Sequence, residues 1–290
     1  SSGFSAGYIG YEEDPGDVRV YSLLDEITNN NYERNNIKKN NGELVKFNGD
    51  IDWFNSFGEF DLDNSKDGNN SINVVSSISS YNDNLFISGG TNRDLNGEIN
   101  NGDEDAFLIK LDLDGNEIWT KLFGTEKEDL AYSVDVSEDG FVYLSGETKG
   151  DLNGEINSGD EDAFLIKLDS DGNEIWTKLF GTPYSDIPWF SNIDNDGNIL
   201  LGGETAGNLN GEINNGIIEK DGINQDSEDA FLIKVDPDGN EIWTKLFGTE
   251  GGEELYSAVT SNDGSIYITG ETRIAPLNSS EQYPFIQDGF

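Results

Sequence analysis

The chain has 290 residues, with 17 basic against 58 acidic side chains and a formal net charge of −41. That imbalance excludes a nucleic-acid binder, which needs clustered Lys and Arg against phosphate, and disfavours binding to an anionic membrane surface. With no Cys, Met or His, the chain lacks disulfides, thiolate sites and the usual general base, which leaves the oxygen-ligand chemistry that suits calcium or magnesium.

Aromatic residues reach 11%, more than an acidic disordered chain carries, so the chain is expected to fold. No run of about 18 apolar residues occurs, so no membrane-spanning helix is expected. The chain starts at Ser1 without Met or a signal peptide, as a mature chain or an excised segment would.

In chain order, residues 5–25 read as a partial repeat. The segment YIGYEEDPGDVRVYS (8–22) aligns with YSVDVSEDGFVYLS (132–145), placing Asp14 against Asp139 and Gly16 against Gly140. Residues 26–42 are Asn-rich and read as a solvated insertion. A weak repeat follows, ELVKFNGDIDWFNSFG at 43–58 with Trp53 in register. The clear copies are DAFLIKLD, a turn, then GNEIWTKLFGT, at 105–125 and 162–182, and with Val235 for Leu at 229–249. Their tryptophans, Trp119, Trp176 and Trp243, lie 57 and 67 residues apart, the excess being ten residues near 217–226. Each copy then continues with two alternating stretches separated by Asp-Gly, such as AYSVDVSEDG (131–140) and FVYLSGET (141–148).

Period-two alternation of Val, Ile, Tyr and Phe bounded by Asp-Gly turns predicts antiparallel strands, four to a repeat. A four-stranded unit of this length with a Trp and recurrent Gly predicts an all-β fold, a β-propeller whose blades stack to bury both faces of each sheet. The expected blades are 43–92, 105–149, 162–206 and 229–273. A closing tail at 274–290 aligns Asp288-Gly289-Phe290 with Asp105-Ala106-Phe107. The chain is then one domain of about five blades, with one blade split between the termini. The alternative is a segment cut from a longer array. Pro188 predicts an edge or bulged strand in the third repeat.

These motifs, DAFLIKLDxDGNEIWTKLFGT, DGxVYLSGET and GDLNGEINxGDEDAF, resemble the bacterial SBBP-type β-propeller repeat, over about 43–273. The resemblance implies a large secreted or cell-surface protein, notably cyanobacterial, in which the propeller serves surface presentation, adhesion or assembly. It brings no catalytic residues. The first repeat departs from the pattern in lacking the Asp-Ala-Phe start, and the third in its SDIPWFSNIDNDG segment (185–197).

The segment DLNGEIN-x-GDED, read as a loop between blades, is the strongest candidate for chemistry. It offers Asp94, Asn96, Glu98, Asn100, Asp103 and Asp105, then Asp151, Asn153, Glu155, Asn157, Asp160 and Asp162. The third copy has Asn208, Asn210, Glu212 and Asn214, with closing acids at Asp226 and Asp229. Oxygen donors at loop positions 1, 3, 5, 7 and 12 follow the order of a calcium loop, although the Gly at position 4 excludes an EF-hand. The competing reading is a polar loop built from Asx turns. Asp112-Leu113-Asp114-Gly115-Asn116 and its copies read as hairpin turns. Trp119, Trp176 and Trp243 read as inter-blade packing. Trp189 falls outside that tryptophan position and is the candidate contact for a ligand or partner.

Without His no Ser-His-Asp triad exists, and acids are so abundant that a glycosidase pair carries no information. The expectation is a non-enzymatic extracellular or cell-surface module, structural or adhesive and calcium-stabilised. Its partners would be other copies, neighbouring surface proteins or glycans. The alternatives are a carbohydrate- or receptor-binding head and, below it, a carboxylate hydrolase.

Overall fold

The computed structural model describes residues 73–215, 218–220, 223–225, 228–249, 251–273 and 286–288, all within the unit Asp63–Phe290. The expected features at 5–25, 26–42 and 43–58, including the N-terminal strand, lie outside the described residues. What is described is all-β and antiparallel, and the sheets follow one another along the chain.

The first sheet holds β1 (Asn73–Tyr81), β2 (Asn84–Thr91), β3 (Asp105–Asp112) and β4 (Glu117–Phe123) in that order. The second repeats it with β5 (Asp129–Val136), β6 (Val142–Thr148), β7 (Asp162–Leu168) and β8 (Glu174–Phe180). The third holds β9 (Asp186–Ile193) and β10 (Ile199–Thr205). A small separate hairpin, β11 (Ile218–Lys220) and β12 (Ile223–Gln225), follows, and then β13 (Asp229–Val235) and β14 (Glu241–Phe247) complete the third sheet. The last sheet has β15 (Gly252–Thr260), β16 (Ile266–Arg273) and β17 (Ile286–Asp288).

The hydrogen-bonded sheet is therefore offset by two strands from the repeat unit read in the sequence. The segments 105–149, 162–206 and 229–273 each straddle two sheets, whose true spans are 73–123, 129–180 and 186–247. A tandem repeat has no intrinsic phase, and the long loop looked like the connection between blades. Instead it joins the second and third strands within a sheet, while the short Phe-Gly-Thr connection passes between sheets. The C-terminal segment also sits differently. Asp288 pairs with Ile266, as Val235 does with Ile199 in the third sheet, so β17 fills the far end of a third strand and does not start one. The described residues do not show a closed ring.

Successive sheets pack face to face. Phe86, Ala106 and Leu108 of the first meet Ala131, Val134, Leu144, Phe164 and Ile166 of the second. Tyr143, Ala163 and Leu165, on the opposite face of that second sheet, meet Leu201, Phe231 and Ile233 of the third. The alternation along β6 and β7 thus sends neighbouring residues to different cores. Both faces are covered, which is why Ala-Phe-Leu-Ile within DAFLIKL reads as an unbroken apolar run.

Each first strand carries a bulge at one place. The pairing register skips Ser76, Tyr132, Trp189 and Tyr256 in β1, β5, β9 and β15. The bulge presses a first-strand carbonyl onto the second strand. A Cβ on Gly146 would overlap the Leu130 carbonyl oxygen, and one on Gly203 that of Ile187. Glycine is needed there for close approach. Pro188 is accommodated as expected, on the edge strand of its sheet and beside this bulge.

The tryptophans join sheets. Trp119 lies against Gly172 in the β7–β8 hairpin of the next sheet, and Trp176 against Gly239 in the β13–β14 hairpin. Those hairpins are the Asp-x-Asp-Gly-Asn turns. Asp169 Oδ1 accepts from Asp171 N and Asn173 N, both at 2.9 Å, and Gly172 takes φ +80.

Candidate functional site

Three features converge at the end of the sheets where second strands finish and third strands begin. The first is the DLNGEIN loop. Its Asn-Gly pair forms a tight turn, with Asn96, Asn153 and Asn210 at φ +51, +51 and +50. Leu95, Leu152 and Leu209 anchor the loop in the core. Asn96 Nδ2 donates to Thr120 Oγ1 at 2.9 Å, and Asn153 and Asn210 do the same to Thr177 and Thr244 at 3.0 and 2.9 Å. These bonds lay the loop across the fourth strand of its own sheet. Glu155 and Glu212 pair with Lys178 and Lys245 of that strand at 3.2 and 3.1 Å, while Glu98 stands 3.8 Å from Lys121.

The loop closes on itself. Asp94, Asp151 and Asn208 each accept, through Oδ1, the backbone N–H of Asn100, Asn157 and Asn214, at 3.0, 3.0 and 2.9 Å. The amides of Asn100, Asn157 and Asn214 donate back to the carbonyls of Thr91, Thr148 and Thr205. Asp105 and Asp162 are fully buried and accept from Asn101 N and Ser158 N. Asp103 and Asp160 are exposed. The donors expected to surround calcium are thus brought together as an Asx-type hydrogen-bond frame. Among the described residues no group of three or more acidic side chains is placed to hold a metal ion. Asp226 lies outside the described residues.

The second feature is a set of buried acids at the seams between sheets, absent from the sequence reading. Asp129, Asp186 and Glu253 open their sheets, and their backbone N–H groups donate to the carbonyls of Glu104, Glu161 and Glu228 in the preceding sheet, at 2.6, 2.8 and 2.8 Å. Their carboxylates are clasped by the Phe-Gly-Thr threonines: Thr125 Oγ1 and Thr182 Oγ1 donate at 2.9 Å to Asp129 and Asp186. Thr205 donates to Asp186 from the second strand. Burial raises the pKa of Asp105, Asp129 and Asp162, and carries Asp186 up to about 6. The sequence signal was an acid five residues after each Phe-Gly-Thr glycine. The glycine itself is explained by the carboxyl of Asp105 or Asp162, which a Cβ on Gly124 or Gly181 would overlap.

The third feature is the bulge aromatics. Trp189 is the positional equivalent of Tyr132 and Tyr256, so it belongs to a repeat position after all, one that the strand-four tryptophans had hidden. It is partly buried and packs on Tyr132 of the preceding sheet, ring centroids 5.2 Å apart and 49° tilted. Tyr132 neighbours Glu147, a buried carboxyl raised to about 7 first by burial and then by the charge of Glu161. Glu147 Oε2 and Trp189 Nε1 are both buried and have no hydrogen-bond partner among the described residues. Lys149 answers the surrounding charge, 2.9 Å from Glu128 and 3.3 Å from Glu161. Near the far end of β5, away from this site, Asp135 is also raised to about 7, by burial. The site therefore sets carboxyls whose pKa burial has raised beside aromatic surface. Such a site suits hydrogen bonding and stacking.

No family model matches the chain. It is 27% identical over 205 residues to the regulatory protein FlaEY of Caulobacter vibrioides, covering 67% of this chain and 21% of that protein. It is 24% identical over 215 residues to an uncharacterized WD repeat-containing protein of Acanthamoeba polyphaga mimivirus, covering 63% of this chain and 16% of that one. The chain thus spans about a fifth or less of these curated relatives' length. A solved structure of a protein of unknown function from Bacteroides caccae overlaps 67% of this chain and 52% of its own, at 11% identity and a TM-score of 0.38.

Proposed function

We propose that the chain is a non-enzymatic β-propeller module that serves as a structural or adhesive part of an extracellular or cell-surface assembly. The observation that carries this reading is repetition. Loop frames and sheet seams recur in the same form from sheet to sheet, which suits multivalent contact with neighbours better than a single reaction centre. The WD repeat named in one relative supports the propeller, and the resemblance to SBBP-type repeats supports the extracellular setting. The acidic surface suits salty water, in which self-repulsion is screened. A screen for hydrolysis of chromogenic glycosides and esters tests the reading. No turnover is expected, and turnover abolished by Glu147→Gln would replace it with an enzyme.

A carbohydrate- or receptor-binding head is the second reading, favoured by the Trp189–Tyr132 pair and by Trp189 Nε1, which has no partner among the described residues. Sugar-dependent quenching of tryptophan fluorescence, lost in Trp189→Phe, would establish it, and silence on a glycan array would remove it. Calcium stabilisation rests on the spacing of the loop donors and the density of carboxylates. A higher melting temperature in millimolar calcium than in chelator supports it, and equal melting removes it.

A further inference from the structure

We propose that the seam between the second and third sheets holds a hydroxyl-binding site. Trp189 Nε1 is its donor, Glu147 Oε2 its acceptor, and the hydroxyls of Ser145 and Ser191 stand beneath them. Where the bound hydroxyl is a sugar's, the inference rests on the reading of the chain as a carbohydrate-binding head. Where it is water's, the inference stands by itself.

Four side-chain atoms in this seam are buried and have no hydrogen-bond partner among the described residues: Ser145 Oγ, Glu147 Oε2, Trp189 Nε1 and Ser191 Oγ. Ser145, Glu147 and Ser191 are each more than nine-tenths buried as whole residues. The strands bring them together. Tyr143 packs in the core shared with the third sheet, so Ser145 and Glu147, at two-residue steps along β6, face the same way. Ile193 packs on that core from the other side, so Ser191, two residues before it on β9, faces back. Ser145 is the cross-strand partner of Ser133, whose Oγ donates to the Ser191 carbonyl at 3.4 Å. One step along, Tyr132 neighbours Glu147 and packs on Trp189.

The polar set is peculiar to this seam. At the preceding seam Gly90 and Val134 occupy the positions of Glu147 and Ser191. At the following seam Gly202 and Ala258 occupy those of Ser145 and Ser191. Buried polar groups are as a rule paired, so these four mark a bound group. Their chemistry names it. An indole N–H only donates, which excludes a metal ion beside it, and a carboxylate excludes an anion. A hydroxyl meets both demands: its oxygen accepts from Trp189 Nε1 and its hydrogen goes to Glu147 Oε2. Water supplies such a group inside a closed seam. A sugar supplies it when its ring lies against the Trp189–Tyr132 pair.

Crystal structures of the full chain, alone and soaked with D-glucose, test the site. The expected result without sugar is a water oxygen within hydrogen-bond distance of both Trp189 Nε1 and Glu147 Oε2. That water should be lost in Trp189→Phe, which keeps an aromatic ring where β5 and β15 carry Tyr132 and Tyr256. In solution the Trp189 indole N–H resonance, assigned by its absence from the Trp189→Phe spectrum, is followed during titration with D-glucose. A shift of that resonance, with a sugar hydroxyl in place of the water in the soaked crystal, supports the site with a sugar as its source. A bridging water with no response to glucose supports the site with water as its source and removes the sugar, so failure of the carbohydrate reading is told apart from failure of the site. Trp189 Nε1 and Glu147 Oε2 bonded to protein groups, or a metal ion between them, overturns the proposal. A water that persists unmoved in Trp189→Phe overturns it too.

Discussion

Trp176 Nε1 donates to the Pro237 carbonyl oxygen at 3.2 Å, across the seam between the second and third sheets. Lys167 Nζ donates to the same oxygen at 2.7 Å and lies 4.2 Å from the Phe141 ring centroid. One hairpin of the following sheet is thus held by a Trp and a Lys of the preceding one.

Removing that hold should loosen the seam. Trp176→Ala is expected to cost about 3 kcal/mol, the low end for a large aromatic because the ring is only partly buried. Trp176→Phe keeps most of the packing and should cost about 1 kcal/mol, the worth of the hydrogen bond. Urea denaturation of both variants measures the difference.

Two glycine substitutions separate crowding from backbone strain. Gly181→Ala meets the buried Asp162 carboxyl, and overpacking of this kind costs about 1–3 kcal/mol. Gly154→Ala meets nothing within 4 Å, but Gly154 sits at φ +90, so only the left-handed penalty of about 1–2 kcal/mol applies. Crystal structures of the two should show a displaced Asp162 in the first and an unmoved loop in the second.

Asp151 is expected to be replaceable. Asn208 occupies its position in the third loop and accepts the same backbone N–H at 2.9 Å. Asp151→Asn should therefore leave thermal stability within about 0.5 kcal/mol of wild type. Asn157→Ala, which keeps that backbone N–H but loses the side-chain bonds to the Thr148 carbonyl and from Gly159 N, should cost about 1–2 kcal/mol.

Stability should fall as pH rises. Asp135 and Glu147 are raised to about 7, and Asp186 to about 6, each chiefly by burial. In the unfolded chain these groups titrate near about 4. Between the two values the folded state holds protons that the unfolded state has released. The stabilisation is full below about pH 4 and is lost as pH climbs through about 7. Urea midpoints at about pH 5 and about pH 8 should show this slope, and Asp135→Asn should flatten it by raising the midpoint at the higher pH.

The strands, their antiparallel pairing and the inter-sheet role of the tryptophans were legible because they rest on local alternation and turn chemistry. The phase of the sheet was not. It depends on which connection crosses a seam, and the crossing needs only the five residues 124–128 because β5 packs directly on the first sheet. The long loop stays within its sheet by folding back onto Thr120. Trp189 was singled out for the wrong reason. Its equivalence to Tyr132 appears only through the bulge, a register feature that single-strand patterns do not encode. Asp129 and Asp186 were hidden by abundance, since among 58 acids a buried one has no compositional mark.

The third loop carries ten more residues than the others, yet Asn215 N still donates to Asp229 Oδ2 at 2.9 Å, as Asn101 N does to Asp105 Oδ2 at 3.0 Å. The hairpin β11–β12 lies wholly between those two closing partners. That junction is an insertion port. Foreign peptide spliced at 216–227 can change length and sequence while the sheet beneath keeps its own closure, so the repeat can acquire new surface without refolding its frame.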